Sequence, residues 1–286
     1  MDRTERDSEP VRRPVGLAVI NMKGGSAKTT VALNLAYFAA LGGHNTLLVD
    51  LDPQASASIY ALGPDSYQKD LLDAGRPTIY ELFERFTPGR PWITLADVVR
   101  PIRTNWDLLP SKLEFSWVLK SPTGREQALK RILDSEAPDY ELVIIDCPPT
   151  ESVFTTAAYL ASQWLLVPVI PEPLASIGLP LLSKSLQEFN NLYGWAPSVA
   201  GIAFVRIQGQ PWETDVKADI VAKVTKPDPK FPTFPLHVFN TEIRWSRSYV
   251  RGSSTGTAIA RTPYAHWDKI QEMRALANEI FTKIGV

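Results

Sequence analysis

The sequence predicts an α/β fold, a doubly wound and mostly parallel sheet flanked by helices, and three observations point to it. Short apolar runs of strand length alternate with longer helical patterns along the 286 residues. Three of those runs end in polar residues of the kind that handle ligands: Leu17–Ile20 runs into NMKGGSAKTT, Thr46–Val49 into DLDPQ, and the apolar part of ELVIIDCPPT into Asp146. A parallel sheet places its ligand chemistry at the carboxyl ends of its strands, which is where these polar endings fall. Hydrophobic residues make up 44% and charged residues 21%, enough apolar surface for a large core and too much for global disorder.

Taken in order, residues 1–14 mix acids with arginines and lack an apolar core, so they read as a disordered tail. Residues 15–286 then read as a single domain. Leu17–Ile20 is a buried strand and Thr29–Leu41 the helix after it, stopped by Gly42 and Gly43. Thr46–Val49 is the next strand. Leu62–Gly124 is rich in proline, aromatics and short helical runs such as Thr78–Phe86, and is assigned to structure and partner contacts. Arg125–Leu133 reads as an amphipathic helix and Glu141–Thr150 as a buried strand with a polar end.

Val153–Pro171 approaches membrane-spanning length, but its threonines and its prolines Pro168 and Pro171 fit a buried helix followed by the strand Trp164–Ile170. Ala200–Arg206 is a further strand and Trp212–Val224 a helix, with a proline-rich surface loop reaching Pro235. Pro263–Ile284 closes the chain as a helix with Trp267, Ile270, Met273, Leu276, Ala277 and Ile280 on one face. Its other face mixes acids and bases without a lysine bias, which favours docking on the sheet over lying on a membrane.

The chemistry concentrates in Lys23–Thr30. A glycine-bearing loop between a strand and a helix presents backbone N–H groups to an anion, and the helix dipole favours negative charge there. Gly24, Gly25, Ser26, Ala27, Lys28, Thr29 and Thr30 thus form a candidate phosphate cradle, with Lys28 as a point charge and the Thr29 hydroxyl placed for Mg²⁺. The strict pattern G-x-x-x-x-G-K-[ST] fails, because Met22 and Ala27 stand where it wants glycines.

What remains, K-G-G-x-x-K-T-T, is a deviant Walker A motif, and with it the chain resembles the ParA/MinD family of P-loop ATPases, on the ParA branch. The resemblance implies the P-loop NTPase fold. It implies that Lys23 reaches across a two-fold ATP sandwich to the phosphates of the partner subunit. It makes D-x-D-P-Q the second signature, with Asp52 orienting the attacking water and Asp50 near the Mg²⁺ shell. I-I-D-x-P-P is the third, with Asp146 as the Walker B aspartate on Mg²⁺. The family's nucleotide base lies between the loops after the last two strands, here Arg206–Gln208 and Glu242–Arg244. WDLLPS at Trp106–Ser111 resembles the family's short strand, and PEPLASIGLP its loop into a long helix near the dimer interface.

Net charge is −1, so any nucleic-acid surface has to be a local patch. Ile243–Arg261 has four arginines and no acidic residue. By composition it is equally a DNA-phosphate surface or a solvated loop. The resemblance tips this toward DNA, since the family's F-x-T-x-I-P-R stretch runs through Phe239, Thr241 and Ile243, and arginines just beyond it contribute to non-specific DNA binding. Arg244 and Trp245 depart from that pattern, which leaves Arg244, Arg247 and Arg251 as the candidate DNA contacts.

The implied function is an ATP-dependent dimerising ATPase that binds non-specific DNA and positions or segregates a cargo. ATP and Mg²⁺ are the cofactors, and a ParB-like or other cargo adaptor stimulates a slow hydrolysis. The implied setting is cytoplasmic and nucleoid-associated. A MinD-like membrane-cycling ATPase is the alternative. The single cysteine, Cys147, suits a reducing compartment and argues against a cluster-carrying relative. The short stretch before Val15 leaves no room for an added helix-turn-helix domain.

Overall fold

The structure, a computed structural model, describes residues 13–121, 123–172, 175–227 and 235–286. Most of the tail, residues 173–174 of the PEPLASIGLP stretch, and residues 228–234 of the proline-rich loop lie outside the described residues.

Eight strands form one sheet in the order β3-β4-β2-β5-β1-β6-β7-β8. They are β1 (Val15–Val19), β2 (Thr46–Asp50), β3 (Arg100–Arg103), β4 (Trp106–Leu109), β5 (Leu142–Asp146), β6 (Trp164–Val169), β7 (Ser198–Ile207) and β8 (Ile243–Arg244). All neighbours pair parallel except β3 with β4, an antiparallel edge. The reversal of strand order around β1 is the topological switch where open α/β sheets form their crevice.

Period-2 alternation explains why the sheet is covered on both faces. Leu17 and Val19 of β1, with Leu142 and Ile144 of β5, join one buried cluster; Ala18, Val143 and Ile145 join the other. The first cluster is roofed by α1 (Lys28–Leu41), α2 (Ser56–Leu62) and α11 (Trp267–Ile284). Helices α4 (Ile79–Glu84), α6 (Ala128–Glu136), α7 (Val153–Ala161), α8 (Ala175–Tyr193) and α9 (Pro211–Val224) cover the second. Short helices α3 (Pro64–Ser66) and α5 (Leu95–Val98), and α10 (Arg247–Thr255), complete the set.

Several boundaries differ from the sequence expectation. The Arg125–Leu133 helix starts at Ala128 and extends to Glu136, and the terminal helix starts at Trp267 rather than Pro263. Trp267 lies off the docked face, at 73% exposure, at the first position of α11. Met273, Leu276, Ala277, Ile280, Phe281 and Ile284 are buried against α1, β7 and β8. Residues 175–180 of the PEPLASIGLP stretch are helical, so it is the first turns of α8 more than a loop. No helix among the described residues is long and apolar enough to cross a membrane.

Candidate functional site

β1 ends one residue short of Ile20, and the chain turns through Asn21–Ala27 into α1. Asn21 fastens this loop at both sides: its Oδ1 accepts from the Lys23 N–H at 2.8 Å, and its Nδ2 donates to the Pro168 carbonyl of β6 at 2.7 Å. The buried Lys28 ammonium donates inward to the carbonyls of Asn21 at 3.0 Å and Lys23 at 3.3 Å. Burial lowers its pKa, with Asp146 the largest opposing charge. No side chain caps α1, and no acid sits in its first turn. The first-turn N–H groups therefore keep open donors at the positive end of a 14-residue helix.

Ala27 explains the failed motif. Its φ of 63° places it in the left-handed region that glycine enters freely and alanine enters at about 1 kcal/mol or more. The loop keeps the glycine conformation with a methyl group in it. A Cβ at Gly24 would meet no atom within 4 Å, so this side of the cradle is open.

Asp50 and Asp146 end adjacent strands in register, and both are fully buried. Their environments differ. Asp50 is bonded at both oxygens: Oδ2 accepts from the N–H and Oγ–H of Ser58, each at 2.7 Å, and Oδ1 from the Asp52 N–H at 3.2 Å. Neither buried oxygen of Asp146 makes a hydrogen bond of ordinary geometry among the described residues, although the Thr29 hydroxyl lies close enough to act on the carboxyl and hold its pKa down against burial. Burial raises the pKa of each, and for Asp146 the neighbouring Asp50 raises it further. In this structure the hydrogen bonds that Asp50 accepts run to α2 and the Asp52 turn. Asp52 is half-buried, and its Oδ1 accepts the Gln54 N–H at 2.9 Å in a turn that leaves the rest of the carboxylate facing the loop.

A buried carboxylate without an ordinary hydrogen bond, beside an open helix N-terminus, suits a hydrated Mg²⁺, which takes one or two carboxylates and completes its octahedron with water and phosphate oxygens. Asp146 and Thr29 are the residues that fit. The donor set also suits the ion by its hardness, since it offers oxygen alone.

Arg206 lies at the far side. It is the penultimate residue of β7 rather than part of the loop after it, and its φ of 59° marks an irregularity in the β7–β8 register. The kink sends Nη1 to the Gly25 carbonyl at 3.0 Å, so the structure brings Arg206 to the glycine loop. A cavity of about 400 Å³ runs from Lys28 and Thr29 past Asp52 and Arg206 to Arg244 and Trp245.

Lys23 and the basic segment fall differently from the expectation. The Lys23 ammonium pairs with Glu172 of its own chain. Arg244 bonds Glu272 of α11 at 3.1 Å, and Arg251 donates to the Pro263 carbonyl at 2.9 Å. Arg247, exposed on α10, makes no side-chain hydrogen bond or ion pair among the described residues. The local excess of positive charge is thus smaller than the segment alone implies, because α11 brings acids that are distant in sequence.

Sequence reasoning missed Asn21, Ser58, Glu172 and Glu272. Ser58 had a signal in the D-x-D-P-Q-A-S-A-S run, and Glu172 in its place at the carboxyl end of β6. Asn21 and Glu272 had none, since ordinary solvated residues look the same.

The AAA domain family model matches residues 16–194. The chromosome-partitioning ATPase Soj of Treponema pallidum is 29% identical over 94% of this chain and 98% of its own length. The structure of the Cyanothece McdA–ATP complex superposes with a TM-score of 0.77 at 19% identity, covering 96% of this chain and 97% of McdA. Cobyrinic acid a,c-diamide synthase of Mycobacterium smegmatis, solved with ADP and magnesium, is 25% identical with a TM-score of 0.68, covering 85% and 91% of the two chains. With its glycine loop, buried strand-end aspartate and parallel sheet, the chain belongs to the ParA/MinD family of P-loop ATPases.

Proposed function

We propose that this chain is a ParA-type positioning ATPase, in which two ATP-bound copies form an isologous sandwich, hold non-specific DNA, and separate when a cargo-bound partner stimulates hydrolysis. The observation that carries the ATPase part is Asp146, a buried carboxylate without a hydrogen bond of ordinary geometry among the described residues, set beside the open N–H groups of α1 and the buried Lys28.

The reaction is phosphoryl transfer to water. Lys28 and the first turn of α1 hold the phosphate oxygens and offset the charge that develops on them. Asp52 accepts a hydrogen bond from the water and orients it in line with the γ-phosphorus. Thr29 and Asp146 would hold Mg²⁺, which would supply charge neutralisation at the phosphates when bound. Lys23 leaves Glu172 and supplies a further cation to the partner's phosphates. Arg206 steadies the loop from the base side. The slow intrinsic rate follows from a nucleophile held by one carboxylate that is half solvated, and it suits a timer. The relatives' names for partitioning and the exposed Arg247 support the DNA-positioning part.

Retention of the purified protein on non-specific DNA, at fixed salt with ATP, ADP or no nucleotide, tests this. Binding with ATP alone, lost in Lys23→Ala, is the expected result. DNA binding in no state refutes the positioning reading. Sedimentation with liposomes and ATP would then separate out a membrane-cycling ATPase.

A further inference from the structure

Two large aromatic side chains are left in water close together in the fold: Tyr264, 92% exposed, and Trp267, 73% exposed. Both follow α10, and hydrogen bonds tie their backbone to that helix. Arg251 Nη1 donates to the Pro263 carbonyl at 2.9 Å and to the Tyr264 carbonyl at 3.4 Å, and the His266 N–H donates to Ser248 Oγ at 3.3 Å. The two rings and the outer face of α10 thus belong to one surface.

Tyr264 is held there at a cost. The Ala265 N–H donates to the Thr262 carbonyl at 3.1 Å and closes a tight turn with Pro263 second and Tyr264 third. The φ of Tyr264 is 54°, the left-handed conformation that such a turn normally gives to glycine or asparagine. A bulky side chain is strained in it. The ring returns nothing to the fold, since it makes no ring contact or hydrogen bond among the described residues and stands almost wholly in water. Strain kept where it gives no packing points to a task outside the fold.

The surroundings are cationic. Ile243–Trp267 holds four arginines and no acidic residue. Arg247 and Arg251 stand one turn apart on the outer face of α10 with Val250 beside them, and Arg261 is exposed just before the turn. None of these three arginines forms an ion pair among the described residues, and the carbonyls that Arg251 meets leave its charge uncancelled. The acid next to Trp267 in sequence, Asp268, is paired with Lys269 at 2.9 Å.

Charge and ring exposure together select the occupant. Free cations favour a polyanion, but a surface that meets phosphates alone would use the arginines and leave both rings in water. A single nucleic-acid strand uses both, because its bases offer π faces to aromatic side chains while its phosphates lie along the arginines. An anionic membrane fits less well. The apolar face of α11 is docked on the sheet, and the outer face of α10 offers only Val250 as a large apolar residue, too little to sink into a bilayer as an interfacial helix does.

We propose that Tyr264 and Trp267, with Arg247, Arg251 and Arg261, bind single-stranded DNA, the rings stacking on its bases and the arginines meeting its phosphates. The proposal rests on the DNA part of the reading above for the kind of polyanion. The surface itself lies within one chain and needs neither ATP nor a second copy.

The test titrates the full chain into a fluorescein-labelled oligothymidylate of about 20 nucleotides, or a duplex of equal length, at fixed low salt with and without ATP and Mg²⁺, and reads anisotropy. The single strand is expected to bind in both conditions. Tyr264→Ala and Trp267→Ala each weaken it at least about fivefold and change duplex binding less than about twofold. Tyr264→Phe keeps the binding, and Tyr264→Gly loses it while urea unfolding shows a fold about as stable, because glycine is at ease at that φ. A markedly less stable Tyr264→Gly makes the ring structural and overturns the proposal. Duplex binding without any single-strand binding overturns it and leaves the positioning reading standing. Single-strand binding indifferent to both rings, or competed equally by polyglutamate of like charge, reduces the face to a charged surface and overturns it too. Equal losses on duplex and single strand overturn it by making the rings wedges in a duplex, and tighter binding of oligouridylate by making RNA the ligand. Sedimentation with phosphatidylserine vesicles that is lost in Trp267→Ala, with no oligonucleotide bound, makes a membrane the occupant. Single-strand binding with no duplex binding in any nucleotide state supports this surface and refutes the positioning reading.

Discussion

The ammonium of Lys23 is paired with Glu172 of its own chain, across the end of β6. The two side chains are 29% and 40% exposed, so the pair is of the weak, solvent-screened kind, about 0.2–1 kcal/mol. If Lys23 serves the partner subunit, each protomer must first give up this contact. Each dimer gives up two such pairs, so Glu172→Gln is then expected to shift ATP-dependent dimerisation to lower protein concentration by up to about thirtyfold. Analytical ultracentrifugation with ATP over a concentration series measures it; an unchanged midpoint removes the pair from the dimerisation balance.

Ala27 is one of the two positions where the chain departs from the strict loop motif, and it keeps the left-handed backbone that glycine enters freely. Ala27→Gly removes the clash of a β-carbon in the left-handed region and is expected to stabilise the fold by about 1 kcal/mol, less the extra freedom glycine gains in the unfolded chain. Turnover should rise modestly with ATP affinity little changed. Denaturant unfolding and steady-state hydrolysis check both, and a less stable glycine variant contradicts the strain assignment.

Asp50 has no bond to spare once Ser58 is lost. Ser58→Ala removes a hydroxyl that donates to Asp50 and accepts from the Ser111 N–H, leaving a buried donor and part of a buried carboxylate unpaired. The expected destabilisation is about 1–3 kcal/mol, read from urea unfolding. A loss under about 0.5 kcal/mol would mean that other groups or water take over those bonds.

Burial raises the carboxyl pKa values of Asp146 and Asp50 in the folded chain, so the folded state holds their protons more tightly than the unfolded chain does. Their contribution to stability is complete below the ordinary carboxylate range, near 4, and declines as pH rises through the raised values. Asp146→Asn cannot ionise at that position and should show a flatter fall in thermal midpoint above about pH 4 when nucleotide and metal are absent. Added Mg²⁺ should recover stability at neutral pH in the parent and not in the variant. Parallel curves for the two proteins would exclude Asp146 as the source.

Arg247 is the one candidate DNA contact that is exposed and without a partner among the described residues, whereas Arg244 and Arg251 already bond Glu272 and the Pro263 carbonyl. Arg247→Glu should lower ATP-dependent DNA retention more than Arg244→Ala does, and the double reversal with Arg251→Glu should abolish it while nucleotide binding stays intact. Retention measured over a salt series should lose about one unit of slope per phosphate contact removed. DNA binding retained in the double variant sinks the surface.

How far the sequence reads can be argued from single residues. Leu17, Val19, Leu142 and Ile144 declare buried strands by hydrophobicity alone, and Gly24, Gly25 and Lys28 declare the loop, because these features depend on neighbours in sequence and on period 2. The family follows from the same short stretches. The segment Leu62–Gly124 resisted, since its order comes from a π-helical turn, short capped helices and an antiparallel edge that hold only against the rest of the sheet.

The sequence by itself determined the fold class, the polar ends of β1, β2 and β5, and the residue types gathered there. Only the tertiary structure decided that Asp50 is bonded at both oxygens by Ser58 and the Asp52 turn while Asp146 faces the open end of α1, that Lys23 is held by Glu172, and that Glu272 takes up Arg244. The physical reason is that local pattern fixes which groups face inward, but whether a buried charge is paired depends on partners brought together from distant parts of the chain.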